Sequence, residues 1–135
     1  MVQAAGAVYS KLTGDATLMA LIPGGVWEGM APVEVETYPL LTYSLLPSRS
    51  DYTMTGPYRH VFDLRVTAFD KSDSVDAAGA VLDRVYTLLQ DASLSMASFV
   101  VLYCRRRTSN KMSPVREGVQ FQQLVDSYGL EVRPS

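Results

Sequence analysis

Few residues in this chain have side chains suited to catalysis or metal binding. His60 is the only histidine and Cys104 the only cysteine, so one chain cannot form a histidine metal cluster, a histidine pair for acid/base chemistry or a disulfide. A nucleophilic pair of Cys104 and His60 is disfavoured because Cys104 lies in an apolar segment, where cysteine usually behaves as a small buried hydrophobe. We interpret His60, beside Arg59 at the start of a strand, as a surface or strand-end residue.

Acidic residues and glycines do not complete a known motif either. Asp70, Asp73 and Asp76 resemble a calcium loop, but the required glycine and terminal glutamate are missing, and acids at a helix start are favoured by the helix dipole. The Pro23–Gly25 turn lacks the lysine and the spacing of a phosphate-binding loop. An enzyme would need a pocket built from carboxylates such as Asp63 and Asp70 alone. The sequence therefore predicts no catalytic, metal or cofactor-binding residues and no enzymatic activity.

The strongest charge feature is a basic segment. Arg105–Arg107 are consecutive, and Lys111 and Arg116 follow before the next acidic residue. In a strand the three arginines alternate between the two faces, so at most two point the same way and a flat DNA-binding patch is not implied. Three interpretations stay open: a solvated strand end, pairing across a subunit boundary with an acidic region such as Glu34–Glu36 or Asp51, and contact with nucleic acid.

Composition and charge narrow the class of protein. The chain has 135 residues, 47% of them hydrophobic and 19% charged, as expected for one globular domain spanning residues 1–135. The formal net charge of -2 gives no global attraction to nucleic acid or to an anionic membrane. The first residues lack the features of a secretion signal, and no apolar run approaches the ~18 residues of a membrane span. We expect a mature cytoplasmic chain without membrane or sequence-specific nucleic-acid partners.

Helices are predicted where apolar side chains recur at three- and four-residue spacing. This spacing gives a helix from Gln3 to Leu12, after which Asp15 caps a short second helix that the Pro23–Gly25 turn ends. The main packing helix runs from about Val75 to Gln90, with Asp73 or Ser74 as its cap. Its apolar stripe, which we expect to cover a sheet, comprises Val75, Ala78, Leu82, Val85 and Leu89.

Strands are predicted from alternation and from β-branched or aromatic content. Val26–Glu28 is a short strand, Leu40–Leu46 is a strand that Pro47 ends, and Val61–Phe69 has one apolar and one polar face. Phe99–Cys104 is almost continuously apolar, so we expect it to be buried on both faces.

The remaining pattern fixes the expected fold class. After a turn-like segment from Thr108 to Glu117, a last strand runs from Val119 to about Val132, with Gly129 as a bulge or bend. Successive strands without intervening helices favour an antiparallel arrangement. We predict an α+β fold in which an antiparallel, or mixed, sheet packs against one long helix and an N-terminal helical segment.

The segment from Pro47 to His60 is the main candidate for a contact with a partner. It is polar, aromatic and rich in turn residues, so we predict a long loop, which in a compact domain usually has a function. No regular period would bury its aromatic residues, and exposed aromatics are typical of interfaces. The candidate subunit-interface residues are Arg49, Asp51, Tyr52, Met54, Tyr58, Arg105, Arg106 and Arg107.

An ordered series of short motifs resembles the tail-completion and tail-terminator proteins of long-tailed bacteriophages. The resemblance covers about Val8 to Val125 and includes the strand from His60 to Asp70 and the helix from Val75 to Leu89. The basic segment Arg105–Ser113 departs from the family pattern. The first motifs in the series are Val8–Asp15, Leu18–Ile22, Pro23–Trp27, Ala31-Pro32 and Tyr38–Leu41.

The resemblance implies a structural subunit without catalytic residues. It implies a ring, hexameric in this family, that caps the head-proximal end of the tail tube and offers a surface for head attachment. The implied partners are further copies of the chain, the tail-tube protein and a head connector or neck protein, in a virion tail assembled in the bacterial host cytoplasm. The alternatives are another phage head–tail connector or neck subunit and a small α+β ligand-binding dimer.

Overall fold

Three helices and a five-stranded sheet make up most of the structure, a computed structural model. The helices are α1 (Val2–Thr13), α2 (Ala16–Leu21) and α3 (Asp76–Leu89). The strands are β1 (Val26–Glu28), β2 (Leu40–Thr53), β3 (Gly56–Asp70), β4 (Phe99–Met112), β5 (Val115–Arg116), β6 (Val119–Gln120) and β7 (Gln122–Pro134). The structure describes residues 2–30, 37–53, 56–72, 74–90, 94, 99–112, 115–116 and 118–134.

The main sheet is mixed and has the strand order β1-β2-β3-β7-β4. β1 pairs in parallel with β2, and all other neighbours in the sheet are antiparallel. β5 and β6 form a separate two-stranded ribbon. The chain therefore places its first strand and its fourth strand at opposite edges of one sheet. The predicted α+β class with a mixed sheet is confirmed.

All three helices pack on one side of the sheet, here called the helix face. Alternation in β3 points Leu64, Val66 and Ala68 to this face, where they are fully buried. The other side, here called the outer face, carries Asp63 and Arg65, which are part-exposed and exposed. The buried stripe of α3 that covers the helix face comprises Ala78, Val81, Leu82, Val85 and Leu89.

The N-terminal helices follow the sequence pattern closely. Asp15 caps α2 by accepting a hydrogen bond of 2.8 Å from the amide of Leu18. The turn after α2 contains Gly25, whose φ of 87° favours glycine. Gly24 sits against the backbone carbonyl of Thr37 and the β-carbon of Leu40, where a side chain would not fit. This turn therefore holds the start of β2 close to the end of α2.

The predicted loop from Pro47 to His60 is wrong. β2 and β3 continue through this region as a hairpin, with Asp51 paired with Arg59 and Thr53 paired with Gly56. Pro47 does not end the strand, because the register of the pairing shifts between Pro47 and Arg49 and an irregular position tolerates a residue without an N–H group. The polar sequence misled the prediction because this part of the hairpin extends beyond the neighbouring strand β7.

The position of one strand and two element boundaries also differ from the sequence-based expectation. β4 is an edge strand rather than a doubly buried one, and its Leu102 is 44% exposed. Thr108–Met112 continues β4 instead of forming a turn, because an edge strand needs no apolar alternation on an uncovered surface. α3 begins at Asp76 with Val75 at the N-cap, although the Ser74 hydroxyl does accept a 3.2 Å hydrogen bond from the Asp76 amide. Asp73 lies outside the described residues.

Candidate interaction surfaces

The three consecutive arginines lie on the edge strand β4 and alternate between faces, as predicted. Arg106 points to the helix face, where its guanidinium carbon lies 4.2 Å from the ring centroid of Tyr86. Its backbone amide donates a 3.0 Å hydrogen bond to the side-chain oxygen of Gln90. Arg106 therefore ties β4 to the end of α3, and its main contacts are within the subunit.

Arg105 and Arg107 lie on the outer face. The Arg105 guanidinium carbon is 5.9 Å from the ring centroid of Tyr103, and Arg107 donates a 3.3 Å hydrogen bond to the Tyr103 hydroxyl. The pairing of β4 with β7 shifts register between Arg106 and Thr108, so Arg107 stands outside the regular ladder. The basic segment is thus divided, with two exposed guanidinium groups on the outer face and one on the helix face.

Gly129 leaves the space that Arg107 occupies. A β-carbon at position 129 would collide with the Arg107 guanidinium. The predicted bulge or bend at Gly129 is wrong, because β7 pairs with β3 in unbroken register from Gln122 to Val132. The glycine is explained instead by the close approach of an arginine from the neighbouring strand.

A polar cluster that the sequence did not reveal lies under Arg106. Asp126 is only 1% exposed, and it accepts a 2.5 Å hydrogen bond from the Ser109 hydroxyl and lies 3.6 Å from Arg106. Burial raises the pKa of Tyr128, and the negative charge of Asp126 raises it further. Among the described residues the Tyr128 hydroxyl has no hydrogen-bond partner. The sequence does contain a signal for this cluster, because Asp126 lies two residues from both Leu124 and Tyr128 and so shares the buried face of β7 with them.

The hairpin contains the other interface candidates, but it does not bring them near the arginines. Across the sheet, Asp51 and Arg105 are separated by three strand spacings, roughly 14 Å. Along the strand direction they are separated by four residues, roughly 13 Å. Contact between these two residues would therefore require two subunits. The backbones of Arg49, Tyr52 and Tyr58 belong to the hairpin, their side chains lie outside the described part, and Met54 and Glu34–Glu36 lie outside it altogether.

A groove of about 550 Å³ lies at the β1 edge of the sheet, against α1. Val26, Trp27 and Glu28 of β1 line one wall. Trp27 pairs with Thr42 on the outer face, and its indole donates a 2.8 Å hydrogen bond to the carbonyl oxygen of Gly24. The Tyr9 and Tyr43 rings, 6.5 Å apart, line another part, and the Tyr43 hydroxyl reaches the carbonyl oxygen of Ala5. Burial, with the charge of Glu28, raises the pKa of Tyr43. This aromatic groove was not predicted from the sequence.

The Asp15 carboxylate also joins α2 to α3. Both of its oxygens accept 2.8 Å hydrogen bonds from Arg84, so the pair is bidentate. The Arg84 guanidinium, with the Leu18 amide, lowers the pKa of Asp15 from 3.8 to about 2. The same contact raises the pKa of Arg84. This ion pair stabilises the helical layer.

The other polar candidates do not form a reaction centre in the described residues. Cys104 is fully buried, as predicted, and His60 is half-buried with its ring near Phe62. Asp63 pairs with Arg65 at 3.6 Å, while Asp70 is buried on the opposite face, roughly 23 Å along the strand. A search of the described residues finds no group of three or more possible metal ligands. It also finds no helix long and apolar enough to cross a membrane.

In the part of the chain that the structure describes, the α+β fold offers sheet edges, a projecting hairpin and a groove. A family model described as tail completion protein gp17 matches residues 6–126. The chain belongs to the tail completion protein gp17 family and is a structural component of a bacteriophage tail. The resemblance found in the sequence is confirmed.

Solved structures support the fold independently. A chain from the virion of a native gene transfer agent particle has a TM-score of 0.71 and 18% sequence identity, and the match covers 93% of this chain and 91% of that chain. A second solved chain has a TM-score of 0.54 and 14% identity, covering 92% of this chain and 91% of the other. A search of curated proteins gives no match. At these identities the likeness concerns the fold.

Proposed function

We propose that the chain is a tail-terminator subunit that assembles with copies of itself into a hexameric ring on the head-proximal end of the tail tube. The ring stops the growth of the tube and provides the surface to which the head connector binds. The subunit acts through binding and not through catalysis. It is assembled into the tail in the host cytoplasm. The observation that carries the proposal is the match of a tail-completion family model to residues 6–126.

The shape of the sheet is compatible with ring formation. β1 and β4 are its two edges, and each pairs with only one neighbour among the described residues. Because the edges differ, a contact from one edge to the other is heterologous, and a heterologous contact generates a ring when its rotation closes. The partners proposed for the ring are the tail-tube protein on one side and the connector or neck protein on the other.

The β2–β3 hairpin is a second element suited to contacts between proteins. The pairing of β3 with β7 reaches His60, while the pairing of β3 with β2 continues to Gly56. The hairpin therefore projects about four residues, roughly 13 Å, past its neighbour in the sheet. We propose that this arm, which contains Arg49, Asp51, Tyr52 and Tyr58, contacts a neighbouring subunit or the tail tube.

Loss of the gene in a producing strain tests the proposed function. We expect tail tubes of irregular, extended length without attached heads, and restoration of normal tails by the wild-type chain supplied from a plasmid. Electron microscopy of lysates measures tube length and head attachment. Light scattering of the purified chain, with and without isolated tubes, measures the mass of the assembly.

The same experiment distinguishes the runner-up function. A head-completion or neck subunit would leave tails of normal length when it is lost, with heads that fail to join them. The similarity to a chain of a gene transfer agent virion fits either position, because that description concerns the whole particle. Normal, head-attached tails in the absence of the gene would contradict both functions.

A further inference from the structure

We infer that the groove at the β1 edge receives the guanidinium group of Arg107 from a neighbouring copy of this chain. This inference rests on the proposed ring and names the contact that closes it. The groove and Arg107 belong to opposite edges of the same sheet. Each subunit would thus offer its groove to one neighbour and its Arg107 to the other.

The groove has the chemistry of an arginine site. Its lining includes Tyr9, which is 46% exposed, the buried Tyr43 and the exposed Glu28. Aromatic faces attract a guanidinium group, which stacks on them more readily than an ammonium group does, and a carboxylate pairs with it. A neutral apolar ligand would make no use of Glu28.

The groove is also fixed in shape before anything binds. The Tyr43 hydroxyl donates to the Ala5 carbonyl at 3.5 Å, and the Tyr43 ring lies 6.5 Å from the Tyr9 ring. Gly6 adds no side chain to the floor, and a β-carbon there would meet nothing within 4 Å. A site whose walls are already ordered loses less conformational entropy when a side chain enters it.

Arg107 is the arginine of β4 that we assign to the groove of the neighbouring copy. It is exposed and stands at the register shift. Its guanidinium lies over Gly129 and donates a 3.3 Å hydrogen bond to the Tyr103 hydroxyl, and both contacts would be exchanged for those of the groove. Arg106 stacks on Tyr86, and Arg105 makes further contacts within its own chain. No carboxylate among the described residues forms an ion pair with Arg107. A register shift such as the one between Arg106 and Thr108 commonly changes the direction of a side chain.

The position of the two elements makes the contact intermolecular. β1 and β4 are separated by the full width of five strands, roughly 19 Å between the edge strands. An arginine side chain cannot span the sheet to reach the groove of its own subunit. A contact between unlike edges of identical subunits is heterologous, which is the type that a cyclic ring uses.

Charge reversal tests the pairing. We expect Glu28→Arg and Arg107→Glu, each alone, to raise the protein concentration needed for assembly by at least about tenfold, because a like-charge pair would face each other at every contact. The two changes together in one chain should restore assembly to within about threefold of the wild type, since the pair is re-formed with its signs exchanged. Light scattering across a concentration series, with tail tubes present, gives the assembly curve.

Matched controls separate this contact from general charge effects. Asp83→Arg and Lys71→Glu change the same charges at exposed positions away from both edges, and we expect both to assemble as the wild type does. Circular dichroism checks that every variant folds. The milder changes Glu28→Gln and Arg107→Gln, which should weaken assembly less than the reversals, cover the case in which a reversal unfolds the subunit.

The possible outcomes decide between the two proposals. Wild-type assembly of both single reversals would overturn the inference and leave the ring intact as a proposal. Rings that form normally but no longer bind tubes would assign the groove to the tail-tube protein, which also overturns it. Capping of tubes by a wild-type chain that never exceeds monomer mass would refute the ring itself.

Discussion

Substitution of Val85 by aspartate is the most direct test of how the helical layer covers the sheet. Val85 is fully buried on the stripe of α3, next to the core residues of β3 and β7. Loss of the buried valine side chain costs about 1.5–3 kcal/mol of transfer free energy. Burial of a carboxyl group without hydrogen-bond partners adds about 1–3 kcal/mol. The expected loss in the free energy of unfolding is therefore about 2.5–6 kcal/mol.

That loss is comparable with the whole stability of a small domain, about 5–15 kcal/mol. We expect Val85→Asp to be largely unfolded, or to lose at least about 10 °C in Tm, since a domain of this size shifts a few degrees per kcal/mol. Ala80→Asp is the matched control, because Ala80 is exposed on the same helix. It should cost only the difference in helix propensity, about 0.6 kcal/mol.

Urea denaturation followed by circular dichroism measures both variants, at concentrations below assembly so that oligomer formation does not add to stability. A second signature follows from pH. An aspartate at position 85 would have a raised pKa in the folded state, so the destabilisation should shrink as the pH falls toward 4, where the neutral form becomes available. Equal melting temperatures for Val85→Asp and Ala80→Asp would refute the assignment of the stripe and the packing derived from it.

Three other predictions concern an ion pair, two glycines and the hairpin. The pKa of Asp15 is lowered from 3.8 to about 2, so its contribution to stability is present above about pH 4 and is lost as the pH falls to 2; urea titrations should show this loss in the wild type and not in Asp15→Asn. Gly24→Ala should destabilise the subunit by about 1–3 kcal/mol, because the added β-carbon meets fixed backbone. Gly129→Ala should cost less than about 1 kcal/mol, because its β-carbon meets only the end of the Arg107 side chain. Equal melting temperatures for the two variants would contradict this difference. Deletion of residues 52–56 should preserve the fold by circular dichroism but abolish tail completion, and unchanged tails would show that the arm makes no essential contact.

The sequence predicted those elements that pack against the core with one face along their whole length. α3 was predicted almost to the residue because its buried positions repeat at helical spacing, and β3 because its helix face is apolar and its outer face polar. The end of α2 and its Asp15 cap were also predicted, since capping is a local property of the chain. Local chemistry and a single covering layer are enough to set these patterns.

The prediction failed where a strand leaves the covered region. Beyond Pro47 the hairpin has no neighbour other than itself, so nothing imposes alternation on its sequence. The apolar segment Phe99–Cys104 predicts a strand buried on both faces, yet the sheet order places β4 at an edge. Strand order depends on contacts between residues far apart in the chain, and a single sequence does not contain them.

The candidate surfaces were predicted only in part. The alternation of Arg105–Arg107 followed from strand geometry and is confirmed, and their use at an interface stays a prediction. The aromatic groove was missed because Tyr9, Trp27 and Tyr43 come from three separate elements that only the fold brings together. Gly129 could not be understood without the strand that lies beside it.

Asp15 links the formation of one helix to the docking of another. α2 has only six residues, far fewer than the ~12 that an isolated helix needs to persist in water. The same carboxylate oxygen that accepts from the Leu18 amide also accepts from Arg84, so the first turn of α2 and the seat of α3 are completed together. We therefore expect α2 and α3 to open as one cooperative unit in hydrogen exchange. The Leu18 amide would then exchange with solvent deuterium at the same rate as the α3 amides. In Asp15→Asn, where the carboxylate no longer joins the two helices, the Leu18 amide should exchange faster than the α3 amides.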